Sequence, residues 1–187
     1  MDVKKAIEKR KSIRRFKEKE VPNEIIKEVI DAARRAPSGC NVQPTRYFVI
    51  KDKKLKERLK QKEAFGQDFV YEAPLIIVLC GNPKDYENFK EVKLKKGILS
   101  EKDLVNFEKQ MVIRDISIAS SFLVIRTVEL SLGVCYIGLI NENVLKKELN
   151  IPKEWVIPFV IIAGYPAETP KQTSRKDLDE VMKFVKC

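Results

Sequence analysis

Two rhythms of apolar residues alternate along the chain. From Pro22 onward, Ile25, Ile26, Val29, Ile30 and Ala33 recur at helical spacing, and a proline at the opening suits the first turn of a helix. Pro37 and the Ser38-Gly39 pair end that helix. A short helix is predicted over residues 3–11 and a charged one over about 52–62. Tyr47-Phe48-Val49-Ile50 reads as a strand between them. Ala73 to Cys80 is a continuous apolar run bounded by Gly81-Asn82-Pro83, the pattern of a buried strand. Residues 84–103 are rich in lysine and glutamate and carry no clear period, which predicts a variable surface segment or lid. A long helix follows from about 103 to 131. Its middle is apolar on nearly every side, so it should be central, and Gly133 should stop it. Val134–Ile137 and Val156–Ala163 read as further strands, with a helix over 142–149 between them. Gly164-Tyr165-Pro166 turns the chain, and Ser174 with Asp177 forms a capping-box pattern that starts a last helix over 175–185. Long helices with few strands imply a layered α/β or α+β sandwich.

Composition narrows the function more than the fold. The 187 residues suit one domain with a real core, and 44% hydrophobic with 34% charged residues describes a globular chain. The apolar stretch Ile116–Ile125 is bracketed by Arg114, Asp115 and Arg126 and is too short to span a bilayer. The opening residues lack the apolar core of a signal peptide, so a cytoplasmic protein without a membrane partner is expected. The four cysteines, at 40, 80, 135 and 187, form no C-x-x-C pair, which argues against a zinc knuckle or a thioredoxin motif and for free thiols. Histidine is absent. That excludes Ser-His-Asp and Cys-His triads and removes the commonest transition-metal ligand, so any chemistry rests on other side chains or a cofactor. A net charge of +10 fits nucleic acid or an anionic small molecule, and acidic residues interleave with the lysines as on many solvated surfaces.

Four local patterns carry candidate chemistry. Residues 4–19 hold nine Lys/Arg against two Glu, and within them Arg10-Lys11-Ser12-Ile13-Arg14-Arg15 offers guanidinium forks and a hydroxyl that suit a phosphate ester. The same cations also suit a helix C-terminus. Ala36 to Pro44 is a tight loop in which Asn41 and Gln43 supply amide groups able to read a heteroaromatic edge, although taken alone it fits an ordinary helix-to-strand turn better. Arg175, placed in the first turn of the predicted last helix, opposes the helix dipole, which makes sense if it and the free N–H groups address a bound phosphate; a solvated surface arginine is the other reading. Gly133-Val134-Cys135-Tyr136-Ile137-Gly138 is an apolar segment whose flanking glycines permit close approach of a flat ligand. No strand leads into G-x-G-x-x-G, and Leu139-Ile140 stand where a P-loop needs Lys and Ser/Thr.

Taken in order, these segments resemble the nitroreductase family of FMN-dependent flavoproteins. The matching motifs are Arg10-Lys11-Ser12-Ile13-Arg14, the Ala36–Pro44 loop, Ser131-Leu132-Gly133, Cys135–Gly138, Gly164-Tyr165-Pro166 and Arg175. The resemblance implies an α+β fold, a three-layer α-β-α sandwich of the nitroreductase type with a mixed, mostly antiparallel sheet around a long central helix. It implies one FMN-binding domain over residues 1–187 and a homodimer with FMN at the interface. Arg10 and Arg175 would bind the FMN phosphate, helped by Ser12 and the Lys11 backbone, with Arg14 near the flavin pyrimidine edge. Pro37, Ser38, Gly39 and Asn41 would reach the flavin of the other subunit. Gln67 would face the polar edge of the ring, and Tyr136, Ile137 and Gly138 would supply backbone contacts near its reactive nitrogen. The implied activity passes hydride from NADH or NADPH through flavin to a small acceptor such as a nitroaromatic, a quinone or a free flavin, with no catalytic acid or base and no metal. Relatives in the family also dehalogenate iodotyrosine or fragment flavin. Two departures stand out: Thr45 follows Pro44 where tryptophan is usual, and Thr173 occupies the place of a second cation. The alternatives of a different class are a flavoprotein that stores or senses FMN without turnover and a basic nucleic-acid-binding protein.

Overall fold

The computed structural model of the chain describes residues 2–89 and 101–185, with backbone alone over 101–105. Most of the segment expected to be variable, residues 90–100, lies outside the described residues.

Several helices begin where a short polar side chain satisfies a free N–H group. Asp2 caps α1 (Val3–Lys9) by accepting from Lys5 N, and Asp52 caps α3 (Lys53–Gln61) by accepting from Leu55 N at 2.7 Å. Pro22 precedes α2 (Asn23–Arg34) as its N-cap residue. A single-turn helix, α4 (Phe69–Glu72), leads into the sheet. The long helix α5 (Glu101–Glu129) and the short α6 (Glu142–Glu148) follow, and α7 is one turn over Leu178–Val181. The strands are β1 (Thr45–Ile50), β2 (Leu75–Gly81), β3 (Gly133–Ile137) and β4 (Val160–Gly164).

The four strands form one sheet in the order β1-β2-β4-β3, antiparallel at each pairing. The register sets Val49 opposite Ile77, Leu75 opposite Ala163 and Cys135 opposite Ile162. A parallel bridge from Ser12 to Val134 lays the N-terminal segment along the outer edge of β3. Alternation along β2 explains why its sequence is apolar without a break. Leu75, Ile77 and Leu79 face one core with Val29, Ile116 and Leu123, while Ile76, Val78 and Cys80 face another with Leu59, Val70 and Leu145. The result is three layers, with α1, α2 and α5 on one face of the sheet and α3, α4 and α6 on the other.

Three expectations change. The long helix ends at Glu129 rather than 131, and Gly133 does not stop it. Ser131 takes the left-handed conformation (φ 64), Leu132 N returns to Thr127 O at 3.1 Å, and Gly133 opens β3. The predicted strand over Val156–Ala163 splits. Val156 exchanges two backbone hydrogen bonds with Gly81, Pro158 has no N–H to give, and regular pairing resumes at Val160. The last helix shrinks from 175–185 to Leu178–Val181, started by Asp177 N donating to Glu180 Oε1 at 3.0 Å rather than by Ser174. Phe184 and Val185 beyond it are 85% and 94% exposed, so nothing among the described residues rewards continuing the helix.

Candidate active site

The first half of the site forms where the N-terminal segment meets β3. Ile13 N donates to Val134 O at 2.9 Å, which seats Ser12 beside Cys135. Arg14 N and Arg15 N donate to Glu168 Oε1 at 2.7 and 3.2 Å, and Arg15 Nε donates to Oε2 at 3.1 Å. Those bonds, the Arg14 backbone first, hold the Glu168 carboxyl below its ordinary range. Glu168 therefore pins the backbone of the segment and leaves the Arg14 guanidinium free to point elsewhere. Burial pushes the Cys135 thiol up, opposed by Arg14, the Ser12 hydroxyl and Arg10, so both arginines act on the same buried point under β3. Among the described residues, neither the half-buried Arg10 guanidinium nor that of Arg14 makes a hydrogen bond or an ion pair. A half-buried cation without a carboxylate is the condition for binding an anion from outside the chain.

Lys11 lies in the same segment, but its Nζ is spent on Pro170 O at 2.9 Å. Gln172 Nε2 reaches Glu8 O at 3.4 Å, so the segment after Pro166 runs back past α1 and brings the chain beside Arg10. Arg175 follows, exposed. Its Nη1 donates to Thr173 Oγ1 at 2.7 Å and to the carbonyls of Thr173 and Ser174. It precedes α7 rather than sitting in a first turn, so the argument from an opposed helix dipole does not hold.

Beyond Ile137 the chain leaves the sheet, and the last two strand residues lead into the opening. Tyr136 is exposed at the ring, with its hydroxyl 2.8 Å from Ser120 Oγ on α5 and its ring edge-on to Phe159. Ile137 is buried and pairs with Val160, so only its backbone is available to a ligand. A Cβ added at Gly138 would meet nothing within 4 Å, which leaves open space over that peptide. Gly66 packs against Leu139, with Gly66 N donating to Leu139 O at 3.1 Å, and this places Gln67 at the rim of a cleft of about 560 Å3 shared with Lys60, Tyr71 and Asn141.

The second half lies elsewhere, on the side of the sheet covered by α2 and α5. Pro37 and Ser38 border a smaller hollow of about 200 Å3 between the end of α2, β1 and α5. Gly39 N donates to Asp115 Oδ2 at 2.9 Å, and Asn41 is exposed with a left-handed backbone (φ 57). The two halves are anchored at different levels of α5, Asp115 for this loop and Ser120 for Tyr136. Five residues of helix separate those levels by about 7.5 Å. Sequence reasoning missed Asp115, Ser120, Tyr86 and Glu168. The one available signal was Asp115, an acid bordering a long apolar run.

The architecture has known counterparts. The Nitroreductase family profile matches residues 7–165. The chain is 31% identical over 199 residues to an NADH dehydrogenase of Thermus thermophilus, covering 97% of this chain and 95% of that protein. It is 25% identical over 181 residues to the FMN reductase [NAD(P)H] of Bacillus subtilis, covering 93% of this chain and 70% of that one. A nitroreductase-type protein of Exiguobacterium sibiricum, solved in complex with FMN, superposes with a TM-score of 0.82 at 17% identity over 99% of this chain and 98% of its own. Sequence profile, relatives and fold agree, and the chain belongs to the Nitroreductase family.

Proposed function

We propose that the protein is an NAD(P)H-dependent FMN oxidoreductase that works as a homodimer, one flavin-binding unit per chain, and reduces a small acceptor such as a nitroaromatic, a quinone or a free flavin. The observation that carries this reading is the pair of unpartnered guanidinium groups, Arg10 and Arg14, beside a β3 exit whose Gly138 peptide is open to a flat ligand. Those residues fit FMN: a phosphate needs forked cations and a ring needs bare backbone. The FMN reductase and FMN-complexed relatives add support from outside the chain.

In this reading Arg10 and Arg175 hold the phosphate with the Ser12 hydroxyl and the Lys11 N–H. Arg14 sets positive charge at the pyrimidine edge, which favours an anionic reduced ring. Gln67 faces that edge, and the Tyr136, Ile137 and Gly138 backbone lines the ring. Pro37, Ser38, Gly39 and Asn41 serve the flavin of the other subunit, which accounts for a site split into two anchored halves. Bound FMN supplies the hydride acceptance and donation that no side chain here offers. The residues bind, orient and exclude water, and none serves as a general acid or base.

Unused apolar surface supports the dimer. Phe122 on α5 is 44% exposed, and Leu178, Val181 and Phe184 of the tail are 64%, 64% and 85% exposed. The free thiols of Cys40, Cys80 and Cys135 suit a reducing compartment, and we place the protein in the cytoplasm.

The deciding experiment is an absorption spectrum of the purified protein with NADH and then NADPH added without oxygen. Flavin bands that bleach with either donor establish the reductase and name the donor. Bands that persist leave an FMN-binding protein without this turnover, and a protein that takes up no added FMN overturns the reading. Sedimentation tests the dimer, because a monomer that holds FMN tightly is incompatible with a shared site.

A further inference from the structure

The loop between α2 and β1 is built against the backbone's preferences. Cys40, Asn41 and Gln43 all have positive φ, at 50, 57 and 53. Residues that are not glycine keep such conformations only when their surroundings hold them. Part of the hold is local: Gln43 N donates to Ser38 Oγ at 2.9 Å and Val42 N to Gly39 O at 3.1 Å.

The rest comes from a buried carboxylate on α5. Asp115 is 2% exposed among Val112, Ile116 and Ala119, a position where an aliphatic side chain would pack without desolvating a charge. Its two oxygens divide their work. Oδ1 takes Arg114 Nε at 2.9 Å, while Oδ2 takes Gly39 N at 2.9 Å together with a short bond from the Tyr86 hydroxyl. Tyr86 belongs to the turn that follows β2 and is itself fully buried. A Cβ on Gly39 would come within 2.6 Å of Arg114 Nη2 and 3.1 Å of Tyr86 Oη, so the network closes directly on that peptide. Three elements distant in sequence meet on one amide, and that amide belongs to the loop assigned to the flavin.

We propose that Asp115, assisted by Tyr86, is a positioning residue for the cofactor site, gripping the Gly39 peptide so that the strained loop presents Pro37, Ser38, Gly39 and Asn41 in one fixed shape. The assignment rests on the function proposed above, because the loop's task is taken from it. Asp115 touches no reacting atom; it acts through Gly39.

The test uses full-length protein, with and without FMN, as Asp115→Asn and Tyr86→Phe variants. Two quantities are read: hydrogen exchange of the 37–44 backbone, and the FMN dissociation constant with the visible circular dichroism of bound flavin. Asp115→Asn should speed exchange in 37–44 about tenfold or more and weaken FMN by a similar factor, the change for one lost charge-assisted hydrogen bond. Amides of the β2–β4 ladder should be unmoved. Tyr86→Phe, which keeps the ring, should shift both readings in the same direction by about threefold, the scale of a single neutral hydrogen bond, and carries the test if the Asn variant does not fold. The flavin dichroism should change at saturating FMN, a signature that general loss of stability would not produce. Unchanged exchange in 37–44, or an FMN constant within twofold of the parent, overturns the proposal. A parent protein that binds no FMN overturns the functional reading instead, and the exchange comparison then still reports whether Asp115 holds the loop.

Discussion

Replacing Gly133 by alanine tests the seam on which the first half of the site is built. Gly133 has no positive φ to protect, so the effect is purely one of space. An added Cβ would lie 2.8 Å from Ile13 Cβ, 2.8 Å from its Cγ1 and 2.9 Å from its Cγ2. Ordinary carbon contacts need about 3.5–4.0 Å, so the N-terminal segment has to retreat by the better part of an ångström. A rotamer change cannot relieve this, because Ile13 Cβ is fixed to the backbone. The retreat strains the 2.9 Å bond from Ile13 N to Val134 O and moves Ser12 and Arg14, which flank Ile13. Overpacking of this kind costs about 1–3 kcal/mol, and a lost backbone bond adds about 1 kcal/mol. We expect Gly133→Ala to lower stability by about 2–4 kcal/mol in urea titration and to weaken FMN by at least tenfold. The geometry also ranks the partners. Ile13→Val keeps Cβ and both Cγ positions and should rescue nothing, whereas Ile13→Ala removes two of the three collisions and should show favourable coupling in a double-mutant cycle. An alanine variant that melts with the parent, or a rescue by valine equal to that by alanine, would refute the steric account.

Further outcomes follow from single contacts. Arg10→Ala should weaken FMN by about 1.5–3 kcal/mol, and Arg175→Ala by less because that side chain is exposed; equal FMN constants for parent and Arg10→Ala by fluorescence titration would remove the phosphate role. Glu168, whose carboxyl is held low by the Arg14 and Arg15 donors, should contribute in full above the ordinary glutamate value of 4.5 and lose its contribution as pH falls below it, since the unfolded chain then takes up the proton first. Glu168→Gln should flatten that acid limb of stability against pH, and an unaltered limb would contradict the assignment. Lys56 is 7% exposed and its Nζ donates to Ala73 O at 2.5 Å and Pro74 O at 3.0 Å, so Lys56→Met should destabilise by about 1–3 kcal/mol by stranding two carbonyls, and a variant as stable as the parent in urea would show that they find other partners.

The readable parts of this protein are those where one residue's neighbours in sequence are also its reason for being there. The 22–34 helix declares itself because its apolar stripe and its proline are local. The 73–80 run declares β2 because both faces of that strand are buried. The pattern around Arg10 to Arg14 stands out because cations without adjacent acids are visible in one dimension, and the anion site drawn from it is a proposal. Gly133 reads as a helix stop in the sequence because the residue that explains it, Ile13, lies far back in the chain. The strand expected from Val156 ignored what a missing N–H at Pro158 does in a ladder. The last helix failed for the opposite reason: its local pattern is sound, but four residues of helix are all that a tail without a packing surface sustains. Asp115 escaped because its meaning depends on an amide in another loop and a hydroxyl from a third segment.

The strand order has a consequence for how the chain reaches this state. β2 and β3 are complete before β4 exists, yet they never pair; the slot between them is filled by the last strand, with Leu75 opposite Ala163 and Val134 opposite that same residue. During synthesis the most apolar strand of the protein therefore waits with one edge unsatisfied until residue 164 has emerged. An unpaired apolar edge invites pairing with other chains. Truncations upstream of β4 should consequently aggregate rather than form a smaller folded domain, and folding should be limited by closure of that slot rather than by its helices.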